Sequence, residues 1–446
     1  MKRVYVVTSY IPNAGLDEKF IAALRQCVEH RRAEFRLLQT HFNYIQDLES
    51  PFQQAIQDEF APFIVKGTEK LNSNLHISSY KSPINIIDPL SGMESQAAKL
   101  GCFIMGFPRQ RFKTVPRMLR ESHTPRAIWC TGSISEPYYK PTKSGIRMKE
   151  YHVKGALIVE IEDDSRFNIR QLEWDGKGFY DRNFYYTSDK VIDETDESVD
   201  AVSLGDDHAT FNNPTIVDKT ISLLKLLKPK KVFHHDTFDA TSITHHVEGK
   251  LITKATINLT LEEEGEITAN HMGKMSDSTK PWKAKHYLVA SNHPEHLVRY
   301  LDEGRYLHDT FNHVLGLRLA LREAEHKDAL EWFLKTYCAK FAKLDRWTIL
   351  KRKESFKVHE IELGDHGDEG ASGARGSTKE KGIVYDGNSI TGHTHAPEIG
   401  VFNNYVNGTM THLVLPYTKD SGSSTWLNTH TVLYKNGKRT HEHIIP

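Results

Sequence analysis

The sequence predicts an α/β protein in two parts: an N-terminal α/β domain over residues 1–195, and a second α/β unit over 196–446 with a helical insert at about 295–350. Three observations predict it. The chain opens β-α-β, a new strand–helix–strand unit starts at Ala201, and the tail carries a hairpin signal. Residues 4–9 form a short apolar run, 17–30 place apolar residues on one helical face, and 33–38 return as a strand, which implies a partly parallel sheet. Short apolar strands follow at 63–66, 102–105 and 127–130, and longer β segments at 155–162 and 167–174. The acidic stretch 189–200 is poor in core residues and marks the boundary. Beyond it, 201–204 reads as a strand, 217–227 as the helix that crosses back, and 231–234 as the next strand. In the insert, Leu315, Leu319, Leu330, Phe333, Leu334 and Tyr337 recur at roughly helical spacing and read as core. Residues 368–381 form a glycine- and serine-rich loop, and Asn436-Gly437 is a hairpin turn between strands at 431–434 and 439–445.

Composition narrows the setting. With 446 residues, 38% of them hydrophobic, the chain can bury a full core, and no apolar run is long enough to span a bilayer. The N-terminus is basic and then apolar, too briefly for a spanning helix, so it reads as a first buried strand; with no export signal evident, a cytoplasmic protein without a membrane partner is expected. The four cysteines, Cys27, Cys102, Cys130 and Cys338, lack metal-type or disulfide-type spacing, which suits a reducing compartment. Lys+Arg and Asp+Glu both number 58, so the chain as a whole is not an electrostatic trap for nucleic acid. Residues 101–155 differ, with eleven basic side chains against three acidic ones and with Phe112, Trp129, Tyr138 and Tyr139 interleaved. Arg111, Lys113 and Arg117 there, with Arg375 in the later loop, are candidate phosphate contacts for a polynucleotide. The alternative is a solvated basic face. The first strand is not followed by a phosphate-binding glycine fingerprint, since 8–15 lacks the required glycines.

The chemistry-bearing residues lie in the second part. In order they are Asp206-Asp207-His208, His235-Asp236-Thr237-Phe238-Asp239, Ser291-Asn292-His293, His366-Gly367-Asp368 and Gly392-His393-Thr394-His395. Oxygen and imidazole ligands in such clusters suit two adjacent divalent cations. The strands at 201–204 and 231–234 would deliver the first two clusters from their carboxyl ends, where open α/β sheets place their sites.

Taken together, these five clusters resemble the calcineurin-like metallophosphoesterase family, whose pattern runs D-x-H, GDxxD, GNH, a lone His and GHxH. Within that family the likeness is closest in type to the subunits of double-strand-break repair nucleases and their bacterial counterparts. The resemblance spans about 201–407. It implies a metallophosphoesterase α/β sandwich preceded by an additional α/β domain, and two divalent metal ions, Mn²⁺ first, with Fe, Zn or Mg as alternatives. By the same resemblance Asp206, His208, Asp236 and His395 hold the first ion, while Asp236 as bridge, Asn292, His366 and His393 hold the second. His293 would face the scissile phosphate and protonate the leaving oxygen, Asp239 would hold His293 in its tautomer, and a metal-bridging hydroxide would attack.

Rival assignments stand beside these. Asp207 lacks the D-x-H spacing and is expected to point away, and His359 competes with His366. His234, His245 and His246 read as surface groups or supports behind the ligands, and Asp365 or Asp368 as a partner for a ligating imidazole. His235 and Ser291 stand where the family has glycine, and Pro294 where an acidic residue is common. The expected function is phosphodiester hydrolysis, with DNA as substrate and a homo-oligomer compatible with it. The alternatives are a small-molecule phosphodiesterase or protein phosphatase, and a non-catalytic scaffold on the same fold.

Overall fold

The computed structural model describes residues 3–40, 59–80, 82–118, 126–245, 258–415 and 422–444. Arg120 and Glu121 of the basic segment, His246 and Ile445 lie outside them. The fold is mixed α/β, built on several sheets that combine parallel and antiparallel pairing.

A six-stranded sheet carries the site. Its order is Trp347–Ile349, Lys285–Leu288, Lys231–His234, Val199–Ser203, Thr429–Tyr434, Arg439–His443. The first four strands are parallel and the last two antiparallel. Successive residues alternate between two cores. Val202, Val232, Leu288 and Val432 face the helices, while Ala201, Phe233, Tyr287 and Leu433 face the other sheets. Apolar side chains on both faces at a period of two explain why these segments read as continuous hydrophobic runs.

The helix Pro214–Leu227 covers one face. Asn213 caps it by accepting from Thr215 N at 3.0 Å, proline occupies its first turn, and Lys228 ends it in the left-handed region at φ 46°. A second helix, Leu261–Ser278, was not expected from the sequence. Its capping box, Thr260 with Glu263, is legible, but its buried face mixes Leu261, Met272 and Met275 with Glu264, Thr268 and His271, so no clean apolar stripe marks it. The insert is helical as expected, with Glu295–Asp302, His313–Ala324 and Ala329–Trp332, and a π turn at Phe333–Tyr337. Leu315, Leu319, Phe333 and Leu334 are buried, with Leu330 and Tyr337 packed against them.

The N-terminal residues do not form a separate layer. Phe167–Glu173, Gly155–Ile161, Arg3–Tyr10 and Glu34–Gln39 make a four-stranded sheet, with Glu18–Arg31 packed on it. The eight-stranded sheet draws on both parts of the chain. Ile390–Thr391, Tyr405–Val406 and Glu398–Ile399 continue into Phe112–Thr114, Ala127–Cys130, Cys102–Met105, Leu75–Ser78 and Thr68–Asn72. One core likewise unites Tyr5, Val7 and Leu157 with Ala201, Phe233 and Leu433. The boundary expected near residue 195 is therefore crossed by the eight-stranded sheet and by that core. The strand expected at 63–66 is instead a 3-10 turn, Ala61–Phe63, followed by a single bridge from Ile64 to Leu37.

Candidate metal centre

Five backbone segments bring the candidate ligands together. Val199–Ser203 leads into Asp206 and His208, Lys231–His234 into Asp236, and Lys285–Leu288 into Asn292 and His293, each beyond the carboxyl end of a parallel strand. Ile390–Thr391 leads into His393 and His395, and His366 follows Ile361–Glu362. His208 N donates to Asp236 O at 2.9 Å and Ala209 N to Thr237 O at 3.1 Å, so the first two loops run side by side. Gly392 is dictated by crowding: a Cβ there would lie 2.2 Å from Asp206 Oδ1 and 3.1 Å from His235 Cγ.

The ligand atoms converge. Asp206, His208 and His395 form one group, His208, Asp236 and His293 a second, and Asp206, Asp236 and His366 a third, with the atoms of each within 4.8 Å of one another. His395 Nε2 is 3.1 Å from Asp206 Oδ2, and His366 Nε2 is 3.1 Å from Asp236 Oδ2. His393 N donates to Asp206 Oδ2 at 2.9 Å, and its ring lies 5.3 Å from that of His366. Asn292 precedes His293 on the same loop.

Two properties make this convergence one that could hold a cation. Asp206 Oδ1, Asp236 Oδ1, Asn292 Oδ1 and His393 Nε2 are buried without a hydrogen-bond partner among the described residues. Each such orphan costs about 1–3 kcal/mol, so several aimed at one place are stable only with a shared ligand. Moreover His208, Asp236, His393 and His395 hold φ of 42°, 45°, 76° and 57°. Non-glycine residues avoid this region, and such backbone strain gathers where side-chain aim matters more than stability. Carboxylates, imidazoles and one amide oxygen are the donor set of a divalent transition-metal ion.

Electrostatics agrees. Burial disfavours a charged His366, yet the Asp236 and Asp206 carboxylates outweigh it and raise its pKa to about 9. Burial is likewise overcome at His208, where Asp239 in particular lifts the imidazole to about 9. Asp236 and Asp206 stay ionised despite burial, chiefly through His366. His393 is pushed down to about 4 by burial and by the charge on His366, and burial also lowers His395. The carboxylates thus draw positive charge into a site where two further imidazoles are kept neutral and able to ligate.

The surroundings correct several expectations. Asp239 does not clamp His293. Its Oδ1 accepts a hydrogen bond from His208 Nδ1, its Oδ2 accepts from Thr210 N at 3.1 Å, and His293 Nδ1 faces the Asp239 main-chain oxygen at 3.2 Å. The side-by-side run of the first two loops puts the carboxylate nearer His208, so Asp239 orients a ligand. Asp207 does point away from the ligands, and it is fully enclosed: Oδ2 faces His234 Nδ1 at 2.8 Å, Thr237 Oγ1 at 3.0 Å and His271 Nε2 at 3.3 Å. His234 is therefore no surface residue. It continues a buried chain to His286 at 3.0 Å, Thr279 at 2.8 Å and Arg346 at 3.1 Å. Neither Asp365 nor Asp368 is hydrogen-bonded to His366, because Lys381 and Tyr385 engage the first and Arg352 the second. His359 pairs with Asp200 at 2.6 Å, leaving His366 as the candidate ligand. His245 is half-buried, with its ring 5.3 Å from that of His296.

His235, in the place of the expected glycine, is buried with Nε2 3.1 Å from Ser203 Oγ and Nδ1 3.4 Å from His366 Nδ1. It backs a ligand, a role its sequence position did not suggest. Trp426 was also missed: its ring centroid lies 4.3 Å from that of His395. Nothing local in the sequence signals it, because the contact spans segments far apart in the chain.

Arg111 and Arg117 of the basic segment are not surface contacts for a nucleic acid. Arg111 is 1% and Arg117 5% exposed, Lys113 Nζ is 2.5 Å from Glu94, and Phe112 and Trp129 stack inside the core at 5.0 Å. Arg111, Arg117, Phe112 and Trp129 therefore present neither charge nor ring to a polynucleotide, whereas Lys113 is partly exposed and Tyr138, Lys140, Lys143, Arg147 and Lys149 lie exposed. Of the four candidate contacts, Arg375 is exposed, in the loop after His366.

No protein-family model matches the chain, and no solved structure matches it. The chain is similar to Protein A1 of Escherichia phage T5, with 29% identity over an alignment covering 98% of this chain and 81% of that one. Among the described residues, no helix is long and apolar enough to cross a membrane.

Proposed function

We propose that the protein is a dinuclear metal-dependent phosphodiester hydrolase of the calcineurin-like metallophosphoesterase type, acting as a nuclease on DNA. The observation that carries the reading is the convergence of Asp206, His208, Asp236, His366 and His395 with a partly exposed His293, His393 lying against His366, and buried donor atoms of Asp206, Asp236, His393 and Asn292 left without a hydrogen-bond partner. Mn²⁺ suits the mixed imidazole and carboxylate set best, with Fe and Zn next. Bound there, a pair of such ions would supply Lewis acidity and an activated water.

The protein's own groups do the rest. Asp236, buried and ionised at the junction of two ligand groups, is placed to serve both ions and offset their repulsion. Asp239 and His235 orient His208 and His366 from behind. His293 Nε2, 3.9 Å from Asp236 Oδ2 and open to solvent, is the group placed to give a proton to the leaving oxygen. With Arg111 and Arg117 buried, support for DNA comes from the exposed Arg375 beside the partly exposed His293, and from the exposed Lys140, Lys143, Arg147 and Lys149 of the basic segment.

The test is hydrolysis with Mn²⁺ of end-labelled linear DNA, circular single strands, a cyclic dinucleotide and a phosphopeptide, repeated with Asp236→Ala and His293→Ala. Cleavage of DNA lost in both variants supports the reading. Preference for the cyclic dinucleotide or phosphopeptide would assign another substrate, and turnover indifferent to both variants would overturn the site.

A further inference from the structure

We propose that the exposed face of the helix Lys143–Glu150, with Lys140 beside it, is a rail that grips the sugar-phosphate backbone of DNA away from the bond being cut; this rests on the reading of the protein as a nuclease. Gly145 and Met148 are the buried residues of that helix. Their burial turns Lys143 and Arg147, four residues apart, to the outer face and Lys149 to its flank. Lys143, Arg147 and Lys149 have no ion-pair partner among the described residues. On other helices Lys274 meets Asp218, Lys335 meets Glu331 and Lys340 meets Glu266. Of the nearest carboxylates, Glu136 is taken by Lys154 at 2.7 Å, and Glu150 lines a cavity with Tyr151 and Phe402. Like charges four apart repel along a helix, and a cation in the first turn opposes the helix dipole, so Lys143 and Arg147 do not serve the helix itself. A polyanion laid across them relieves that repulsion and releases its own counterions.

The rail is fixed in place and joined to the metal centre. Thr142 caps the helix by accepting from Gly145 N at 3.2 Å, and a Cβ on Gly145 would lie 2.0 Å from Lys140 O, so the turn carrying Lys140 sits tight against the first turn. Tyr139 Oη and His152 Nδ1, one ahead of the helix and one behind it, are 2.8 Å apart, and His152 Nε2 donates to Ser135 O at 2.9 Å. Holding the charges in advance lowers the entropy lost on binding. At the far end the Tyr151 ring lies 6.0 Å from that of Phe402, and Arg109 stacks on Tyr151 at 4.6 Å while donating to Val401 O. Only the chain from His395 to Phe402, at most about 25 Å when extended, then separates this contact from a candidate ligand. One turn of duplex spans about 34 Å, so DNA with one phosphate at the metal centre has others within reach of the helix. Backbone contacts of this kind carry no base readout, so the rail favours long chains of any sequence over dinucleotides and other small phosphoesters.

The rival role is a solvated face that only keeps the protein soluble, and binding separates the two. A labelled duplex several turns long is titrated with Mn²⁺-loaded, full-length His293→Ala protein over a range of salt, followed by fluorescence anisotropy. Lys143→Ala, Arg147→Ala and Lys149→Ala together should flatten the plot of log affinity against log salt by about 2 to 3, at about 0.9 per phosphate contact. Lys143→Arg with Lys149→Arg should keep the slope. With His293 intact, the same triple change should raise KM for the duplex at least about tenfold, leaving Tm and the turnover of bis-p-nitrophenyl phosphate within error. An unchanged salt slope overturns the rail, as does an equal loss on duplex and small ester. Loss of polyglutamate binding with DNA binding intact would assign the face to an acidic protein and overturn it too. Should the wild type cleave no DNA, the nuclease reading fails, and the anisotropy slope alone then decides whether the helix grips a nucleic-acid backbone.

Discussion

The ligand loops and the buried arginines of the basic segment are both enclosed and both polar, yet they solve opposite problems. Around Asp206 and Asp236, acceptors from five separate segments point at one another with oxygen and nitrogen atoms left unpartnered. Around those arginines, charge is matched where it stands. Arg111 meets Asp88 at 3.1 Å and Glu398 at 3.5 Å, Arg109 donates to the carbonyls of Ile87 and Val401, and Lys113 pairs with Glu94. Arg109 Nε and Arg111 Nε and Nη1 also lack partners, but neither guanidinium is left without an acceptor. Convergent unmatched lone pairs signal a ligand, whereas a dense run of one charge need not. The basic segment still serves the site by bracing it. Phe112 and Lys113 pair with Ile399 and Glu398, just past His395.

Breaking the ligand side should have the largest effect. Asp236→Asn should abolish Mn²⁺ binding measured by calorimetry, beyond the roughly 10–100-fold that loss of an outer support costs. His293→Ala should lower kcat by about 10²–10⁴-fold while leaving Mn²⁺ affinity within error, the pattern of a proton donor. Asp239→Asn should cost about 10–100-fold in Mn²⁺ affinity, because its carboxylate orients His208. Had it clamped only His293, affinity would not move.

A pH series sharpens the same side. In chelator-treated protein, His208 and His366 are raised from 6.5 to about 9, so their protons stabilise that form below about 6.5 and the contribution fades as pH rises through 9. Metal must displace those protons. Mn²⁺ affinity should therefore climb from pH 6 to about 9 and then level off, with up to about two protons released at pH 7, read from calorimetry in buffers of different ionisation enthalpy.

The smallest effects test the basic side. Arg111→Ala should lower stability by about 1–3 kcal/mol in denaturant unfolding, since a buried charge-assisted network is lost. Arg375→Ala should leave Tm unchanged and reduce the salt slope of DNA binding by about 1. The reverse pattern would restore Arg111 as a binding residue.

Much of the site was legible because its signals are local. The pairs Asp206/His208 and His393/His395, and strands such as Lys231–His234, are read from spacing and periodicity within a few residues. The helix Leu261–Ser278 was not, because its buried face admits Glu264, Thr268 and His271. Glu264 is tolerated there because Thr241 N and Ser242 N and Oγ satisfy it, contacts invisible along the chain.

By itself, then, the sequence determined which segments form strands and which side chains can ligate, since those depend on side-chain chemistry and short-range period. Only the tertiary structure decided that Asp239 serves His208, that Arg111 and Arg117 are interior, and that Trp426 stands against His395. Those outcomes depend on which strands become neighbours. Pairing across hundreds of residues, as between Phe112 and Ile399, is set by how two apolar faces are buried together, and no local pattern records it.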